Sequence, residues 1–299
     1  MKKFAIVADT ACDLEKEFRD KYDIKVLPMH LIIDGQDILA DLDWKPYSAK
    51  EYYDLLRAGK KITTAQISNV DFKNMFEGLV KDGYDVIYIA CSSALSAGIK
   101  ASYLVRDEVL KNYPDAKIYC IDSLRAVCAL GNLVLTACEL REQGKTVDEV
   151  ASWLEENKLT SNLDTTVDSL VYLKRAGRVS AASAFFGGLF SIKPIIIEDG
   201  LGQNFAIEKV KGRKQSMERV ASRFAERFLD VPHQNIVIRH ADCLDDAITF
   251  KAMIEEKLCD KKANIHVGYV GPIIGATAGP GMITVAYYGK EESMNKKDS

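Results

Sequence analysis

Residues 85–102 read DVIYIACSSALSAGIKAS, and this stretch decides the fold. Residues 86–89 are β-branched or aromatic, which is typical of a buried parallel strand. Small and hydroxyl-bearing residues follow, and after them apolar residues recur at helical spacing. The pattern predicts a strand, a serine-rich turn and a helix. Ligands of open α/β sheets bind at the carboxyl ends of strands, so Ser92, Ser93 and Ser96 are candidate anion-binding residues; alternatively, one serine caps the helix and the others are solvated.

The alternation of strands and helices continues on both sides of this stretch, through about residue 156. It predicts an α/β layer with a parallel or mixed sheet. The pattern changes at residues 157–164, and beyond them two strand-like runs flank Asp199 and Gly200, which favours an antiparallel sheet. We therefore predict two domains, 1–160 and 161–289, followed by a charged tail, 290–299, that we expect to be disordered.

The composition excludes several classes of function. The 299 residues are 47% hydrophobic, which is enough to build a core. Their net charge is -3, so the chain lacks the excess positive charge that nucleic-acid binding usually needs. Neither a signal peptide nor an apolar run of 18 residues is present, so we expect a cytoplasmic protein without a transmembrane segment. Seven scattered cysteines and four dispersed histidines form none of the spacings typical of metal sites or disulfide frameworks. We therefore expect no metal and no cofactor.

Four further stretches are candidates for a ligand site, each with a structural alternative. Residues 60–68 read as a polar loop rich in hydroxyls, and residues 271–281 contain four glycines and two prolines, which indicates close backbone approach to a ligand or a tight corner. Residues 180–190 are apolar on every side, which favours core burial over contact with an apolar ligand. Residues 174–178 form a basic turn.

Catalytic patterns are weak in this chain. Ser96 is followed by Ala97 and Gly98, which is half of a nucleophile elbow, and Cys91 ends an apolar strand, where a thiol is usually inert. Asp9 and Asp122 are the only carboxylates beside the candidate loops. Neutral donors together with abundant apolar surface favour an amphiphilic ligand. The alternative is a kinase- or transferase-like enzyme that acts on a phosphorylated small molecule.

Six motifs in this order resemble the DegV family of bacterial fatty-acid-binding proteins over roughly residues 2–289. They are ADTACDL at 8–14, TAQIS at 64–68, CSSALS at 91–96, IDS at 121–123, LKRAGRVS at 173–180 and the glycine-rich stretch 271–281.

The resemblance implies a Rossmann-like N-terminal domain, a C-terminal α/β domain with a largely antiparallel sheet, and one long-chain fatty acid in a buried tunnel between them. It implies that hydroxyls hold the carboxylate, above all those of Thr64 and Ser96. The further candidates are Ser93 and Thr277 for the carboxylate, and Phe185, Phe186, Ile274 and Gly275 for the lining of the tunnel or its loops.

The resemblance also implies a partner. Some members of the family deliver the bound acid to a fatty acid kinase, which phosphorylates it to an acyl phosphate for phospholipid synthesis, while the binding protein performs no chemistry. Lys174, Arg175 and Arg178 are then a candidate docking face for the kinase. An ordinary solvated turn would explain these residues equally well.

The chain departs from the family pattern at the proposed head-group site. Thr277 stands where the family has a carboxylate-binding histidine, Ile67 where it has proline and Ala65 where it has serine. Threonine cannot carry a positive charge, so head-group binding is weakened by roughly 1.5 to 3 kcal/mol. We still expect lipid binding, because burial of the acyl chain dominates the affinity. A family member that has lost its ligand is the remaining alternative.

Overall fold

The computed structural model describes residues 2–179, 191–259 and 263–293. The strands within these ranges are β1 Phe4–Asp9, β2 Lys25–Leu27, β3 His30–Ile33, β4 Gln36–Leu39, β5 Ile62–Ala65, β6 Asp85–Ala90, β7 Ile118–Asp122, β8 Ser161–Thr166, β9 Ile192–Glu198, β10 Asn204–Lys211, β11 Ile236–His240, β12 Ile265–Tyr269 and β13 Ile283–Tyr288.

The helices are α1 Lys16–Lys21, α2 Ala49–Arg57, α3 Asn69–Lys81, α4 Gly98–Asn112, α5 Val127–Glu142, α6 Val147–Asn157, α7 Val171–Ala176, α8 Arg213–Arg227, α9 Leu244–Leu258 and α10 Pro272–Ala278. Capping boxes begin two of them. Ser48 pairs with Glu51 at the start of α2, and Thr146 pairs with Glu149 at the start of α6, as the spacing of these residues predicts.

A four-stranded parallel sheet forms the first half of the fold, in the order β2-β1-β6-β7. Strands β1 and β6 lie in its centre and are buried along their whole length, with Ile6 paired to Ile87. Helices α3 and α4, and α5 and α6, supply the helical layers that cover the sheet. All four strands end at the same edge, so the loops that follow Asp9, Ala90 and Asp122 are neighbours. The predicted α/β class is confirmed.

A six-stranded sheet forms the second half, in the order β10-β9-β8-β13-β11-β12. Four of its pairings are antiparallel, and only β11 and β12 run parallel. The prediction of a largely antiparallel second sheet is therefore confirmed. The last strand in the chain, β13, lies inside this sheet between β8 and β11.

A small antiparallel sheet, β4-β3-β5, was not predicted from the sequence. Residues 60–68 do not form a loop throughout, because Ile62–Ala65 is strand β5. Its two threonines are β-branched, and they pair with Leu31 and Ile32 of β3. The apolar run from Lys25 to Ile33 is interrupted at Pro28, so β2 joins the parallel sheet and β3 joins the small one.

The glycine-rich stretch 271–281 is mainly helix α10 rather than a loop. Pro272 occupies the first turn, where its missing N–H costs no hydrogen bond. The helix ends before Gly279, which has a φ of 80°. The basic turn also differs from the prediction, since Lys174 and Arg175 lie in the last turn of α7.

Hydrogen bonds tie the two halves together. Tyr53 donates to the carbonyl of Val270 and Tyr52 to that of Pro272, both at 2.7 Å. Arg239 forms a bidentate ion pair with Glu15. The predicted domain boundary near residue 160 stays a prediction. The first residues of the predicted tail pack against the fold, because Glu292 is buried and accepts a hydrogen bond from Arg223 at 2.7 Å.

Candidate functional site

A cavity of about 190 Å³ is lined by residues from both halves of the fold. The first half contributes the loops at the carboxyl edge of the parallel sheet and the end of β5, and the second half contributes one face of β8 and β9 together with α10. Most of this lining is apolar. Its apolar side chains include Ala11, Met29, Val127, Leu163, Val167, Ile196, Ile273 and Met282.

The structure brings three of the four predicted carboxylate ligands to this cavity. Thr64, Ser96 and Thr277 line it, whereas Ser93 does not belong to the lining. Ser93 instead uses its backbone amide to hydrogen-bond Asp122, at 3.1 Å. That the three hydroxyls bind a carboxylate stays a prediction.

Ser96 lies in the turn between β6 and α4. Its Oγ accepts a hydrogen bond from the amide of Gly98 at 3.3 Å, so the hydroxyl hydrogen can be donated to a ligand. The turn is held from two sides. The Oγ of Ser92 donates to the carbonyl of Gly202 at 2.8 Å, and Asp122 accepts from the amides of Ser93 and Leu124. The hydroxyl is therefore presented on a fixed backbone.

Thr64 and Thr277 approach the cavity from two elements that pack against each other, β5 and α10. Thr64 is half-buried on the strand, opposite Leu31. The Oγ1 of Thr277 donates to the carbonyl of Ile274 at 2.9 Å, within its own helix.

Some of the remaining predicted residues line the cavity and others do not. Ile274 lines the cavity, but Gly275 packs against Tyr53, whose Oη would lie 2.7 Å from a Cβ at that position. Phe185 and Phe186 lie outside the described residues. Arg178 lines the cavity and donates to the carbonyls of Leu95 and Ala176, both at 2.6 Å.

Lys174 and Arg175 lie outside the cavity lining and are exposed. The Arg175 guanidinium stacks over the ring of Tyr172, 5.1 Å from its centroid. The docking role of the basic residues stays a prediction.

The candidate catalytic groups have structural roles. Asp9 is buried and accepts hydrogen bonds from the amides of Ala11 and Cys91 and from the hydroxyl of Tyr88. Burial raises the pKa of the Cys91 thiol well above its ordinary value, so this cysteine stays protonated at neutral pH. Within the described ranges, no three histidine, cysteine or acidic side chains are arranged to hold a metal ion, and no helix could cross a membrane.

Sequence reasoning missed several polar residues of the cavity, which include Gln66, Thr165 and Asn204, and the one ionisable residue among those missed is Glu198. It is only 2% exposed, and burial raises the pKa of its carboxyl to about 8, against the opposing effects of the Arg125 charge and the Ala126 amide. The signal in the sequence was its spacing. Glu198 follows Ile196 by two residues in a strand, so it lies on the same inward face.

Comparison with known proteins gives consistent matches. A family model described as an uncharacterised protein of the DegV family matches residues 3–290. A DegV domain-containing protein of Clostridium perfringens is 38% identical over 289 residues, which cover 97% of this chain and 98% of that protein.

Two solved structures share the fold at 25% identity, and each match covers 97% of this chain and all of the other. One is a DegV family protein from Thermus thermophilus described by its fatty acid binding, with a TM-score of 0.83. The other is DegV from Bacillus subtilis, described as a fatty acid binding protein, with a TM-score of 0.80.

Proposed function

The chain belongs to the DegV family, and on that premise we propose that it binds one long-chain fatty acid in the cavity between its two halves. The carboxylate lies against the hydroxyls of Thr64 and Ser96, and the acyl chain against the apolar walls. The observation that carries this proposal is a cavity that combines these hydroxyls with apolar side chains of β8 and β9, such as Leu163 and Ile196. The fatty acid binding described for the relatives from Thermus thermophilus and Bacillus subtilis supports it.

Burial of the acyl chain supplies most of the affinity in this proposal. Each buried methylene contributes up to about 0.8 kcal/mol, so a long chain contributes on the order of 10 kcal/mol before the entropic costs of binding. A hydrogen bond to the carboxylate contributes about 1.5 to 3 kcal/mol. The altered head-group site therefore weakens binding without abolishing it.

We propose further that the protein is a cytoplasmic carrier that performs no chemistry itself and presents the acid to a fatty acid kinase, which forms the acyl phosphate. Two observations support a binding role over an enzymatic one. The carboxylates of Asp9 and Asp122 both accept hydrogen bonds from backbone amides, and the Cys91 thiol stays protonated. The exposed Lys174 and Arg175 on α7, beside Leu173 of the cavity wall, are the candidate contact with the kinase.

The lipid-binding proposal is tested by mass spectrometry of an organic extract from the purified protein, followed by titration of delipidated protein with palmitate and oleate. We expect a co-purified fatty acid and saturable binding of both added acids. Hexadecanol is the matched control ligand, because it keeps the chain and lacks the carboxylate. A protein that purifies empty and takes up neither acid contradicts the proposal.

The carrier role needs a separate experiment. Protein loaded with palmitate is mixed with a fatty acid kinase and ATP, and acyl phosphate is trapped with hydroxylamine. We expect product with the wild type and a large loss when Lys174 and Arg175 are both changed to glutamate, although palmitate binding is retained. Equal product from wild type and variant would contradict the docking site.

A further inference from the structure

Glu198 is a buried carboxyl group in a wall of the cavity that also contains Asn204, its partner on β10, and Thr165 of β8. It is the last residue of β9, and Ile196 lies on the same face of that strand. Leu163 of the neighbouring β8 also faces the cavity. Glutamate is seldom buried without a partner, so this residue needs an explanation.

Neither carboxyl oxygen of Glu198 has a hydrogen-bond partner within residues 2–179, 191–259 and 263–293. The Ala126 amide faces the carboxyl and lowers its pKa, but without hydrogen-bond geometry. Arg125 is the nearby positive charge, and its guanidinium is directed elsewhere. It donates to the backbone carbonyls of Ser161, Leu124, Asp199 and Leu159.

At neutral pH the Glu198 side chain is a neutral carboxylic acid, because burial raises its pKa to about 8. In this form it offers one O–H donor and retains acceptor capacity on its carbonyl oxygen. A carboxylic acid kept neutral by an apolar site is a group that can donate a hydrogen bond to a ligand. A plain hydrocarbon chain would leave both the O–H donor and the carbonyl acceptor without a hydrogen-bond partner.

We propose that Glu198 is a subsite for a hydroxyl group on the acyl chain, and that the preferred ligand is a hydroxylated long-chain fatty acid. This inference rests on the proposed fatty acid binding and specifies the ligand. The acid O–H donates to the hydroxyl oxygen of the ligand, and the hydroxyl hydrogen is donated back to the carbonyl oxygen of Glu198. The rest of the chain packs against Leu163 and Ile196.

The test is competition against a bound fluorescent fatty acid on the delipidated full-length protein at pH 6.5. The competitors are stearic acid and octadecanoic acids with one hydroxyl at carbon 2, 6, 10, 12 or 16. We expect at least one hydroxylated isomer to bind about tenfold more tightly than stearic acid, as a reciprocal pair of hydrogen bonds predicts.

Variants assign that preference to Glu198. Glu198→Leu should remove it while stearic acid still binds, and Glu198→Gln should keep part of it, because an amide also donates and accepts. Thr166→Val is the matched control. Thr166 is buried on the other face of β8 and does not belong to the cavity lining, so the preference should remain.

Two results would overturn the inference while leaving fatty acid binding intact. In one, stearic acid binds and no hydroxylated isomer binds more tightly. In the other, the preference survives in Glu198→Leu. The isomer comparison on the wild type decides the matter even if that variant fails to fold. A wild type that binds none of the acids overturns the proposed function itself, and this inference with it.

Discussion

The hydroxyl of Thr277 donates its hydrogen to the backbone carbonyl of Ile274, 2.9 Å away in the same helix. Threonine often makes this bond inside helices. The donor that a carboxylate would need is therefore already used, and Thr277 presents acceptor lone pairs to the cavity. The sequence suggested that threonine could still donate one hydrogen bond here, but in this conformation it forms a wall of the cavity.

Replacing Thr277 with histidine should strengthen binding of the carboxylate. A protonated imidazole adds a charge-assisted hydrogen bond of about 1.5 to 3 kcal/mol, and the gain should be largest below the histidine pKa. Titration calorimetry with palmitate at pH 5.5 and 8 measures it. Thr277→Val, which loses only the internal hydrogen bond, should change affinity by less than about 0.5 kcal/mol. A large loss of affinity in this valine variant would show that Thr277 is a head-group donor.

Thr64→Val and Ser96→Ala should each weaken palmitate binding by about 1.5 to 3 kcal/mol, because each removes a donor to a charged group. Ser93→Ala is the control from the same turn, and it should leave the dissociation constant unchanged within twofold. Displacement of a fluorescent fatty acid gives all three values. If Ser93→Ala has the largest effect, the carboxylate lies on the other side of the serine turn.

The stability of the ligand-free protein should depend on pH through Glu198. Its pKa is raised from 4.5 to about 8 in the folded state, so between these values the folded protein keeps a proton that the unfolded chain has released. The free energy of unfolding then falls as pH rises through this window and levels off above it. Urea unfolding should show a decrease from pH 6 to pH 9 that is about 2 to 3 kcal/mol larger for the wild type than for Glu198→Gln.

Asp13 contributes a decrease of the same sign to this measurement, and its total between pH 6 and pH 9 is smaller. Burial raises the pKa of its carboxyl to about 7, so it loses its proton lower in the same range. This decrease should persist in Glu198→Gln and disappear in Asp13→Asn. Identical pH profiles for the wild type and both variants would mean that neither acid is held protonated by the fold.

Arg178→Met should speed the release of bound fatty acid by about tenfold or more. Arg178 follows the C-cap of α7 and donates a hydrogen bond to the carbonyl of Leu95 in the serine turn, and hydrogen bonds from a charged donor contribute about 1.5 to 3 kcal/mol. Stopped-flow transfer to lipid vesicles measures the rate. Arg175→Met, from the exposed end of α7, should release the ligand at the wild-type rate. Equal acceleration in both variants would indicate a general loosening of α7.

Gly279→Ala should destabilise the protein by about 2 to 4 kcal/mol. Its φ is 80°, and an added Cβ would lie 2.2 Å from Cδ2 of Tyr172. Gly144→Ala is the matched control, since its φ is 82° but nothing lies within 4 Å of the added atom. Only the backbone cost remains there, about 1 to 2 kcal/mol. Urea unfolding of both variants separates backbone strain from the steric clash.

The sequence predicted the parallel sheet well because each of its central strands can be recognised from its local sequence alone. Strands β1 and β6 are continuous apolar runs followed by polar turns, and those turns do lie at one edge of the sheet. Helix α10 was missed because glycine and proline disfavour helices locally. Tertiary packing decides here instead, since the close contact of Gly275 with Tyr53 leaves no space for a larger residue.

Two residues of the cavity, Thr64 and Glu198, are positioned by features that sequence reasoning did not resolve. Thr64 lies on a strand rather than in a loop. Its polar neighbours indicated a solvated loop, but the backbone of this segment is hydrogen-bonded to β3. Glu198 was missed altogether, since a glutamate before an Asp-Gly turn usually marks the exposed end of a strand. Its spacing from Ile196 indicates which face of β9 it lies on, but only the packing of β9 shows that this end of the strand is buried.

The central position of β13 has a consequence for the assembly of the second sheet. This strand hydrogen-bonds both β8 and β11, which lie far apart in the chain. Without β13, each of these two strands would expose an unpaired edge. The six-stranded sheet therefore becomes continuous only when β13 is in place, and Met282, the residue before it, then completes the wall of the cavity.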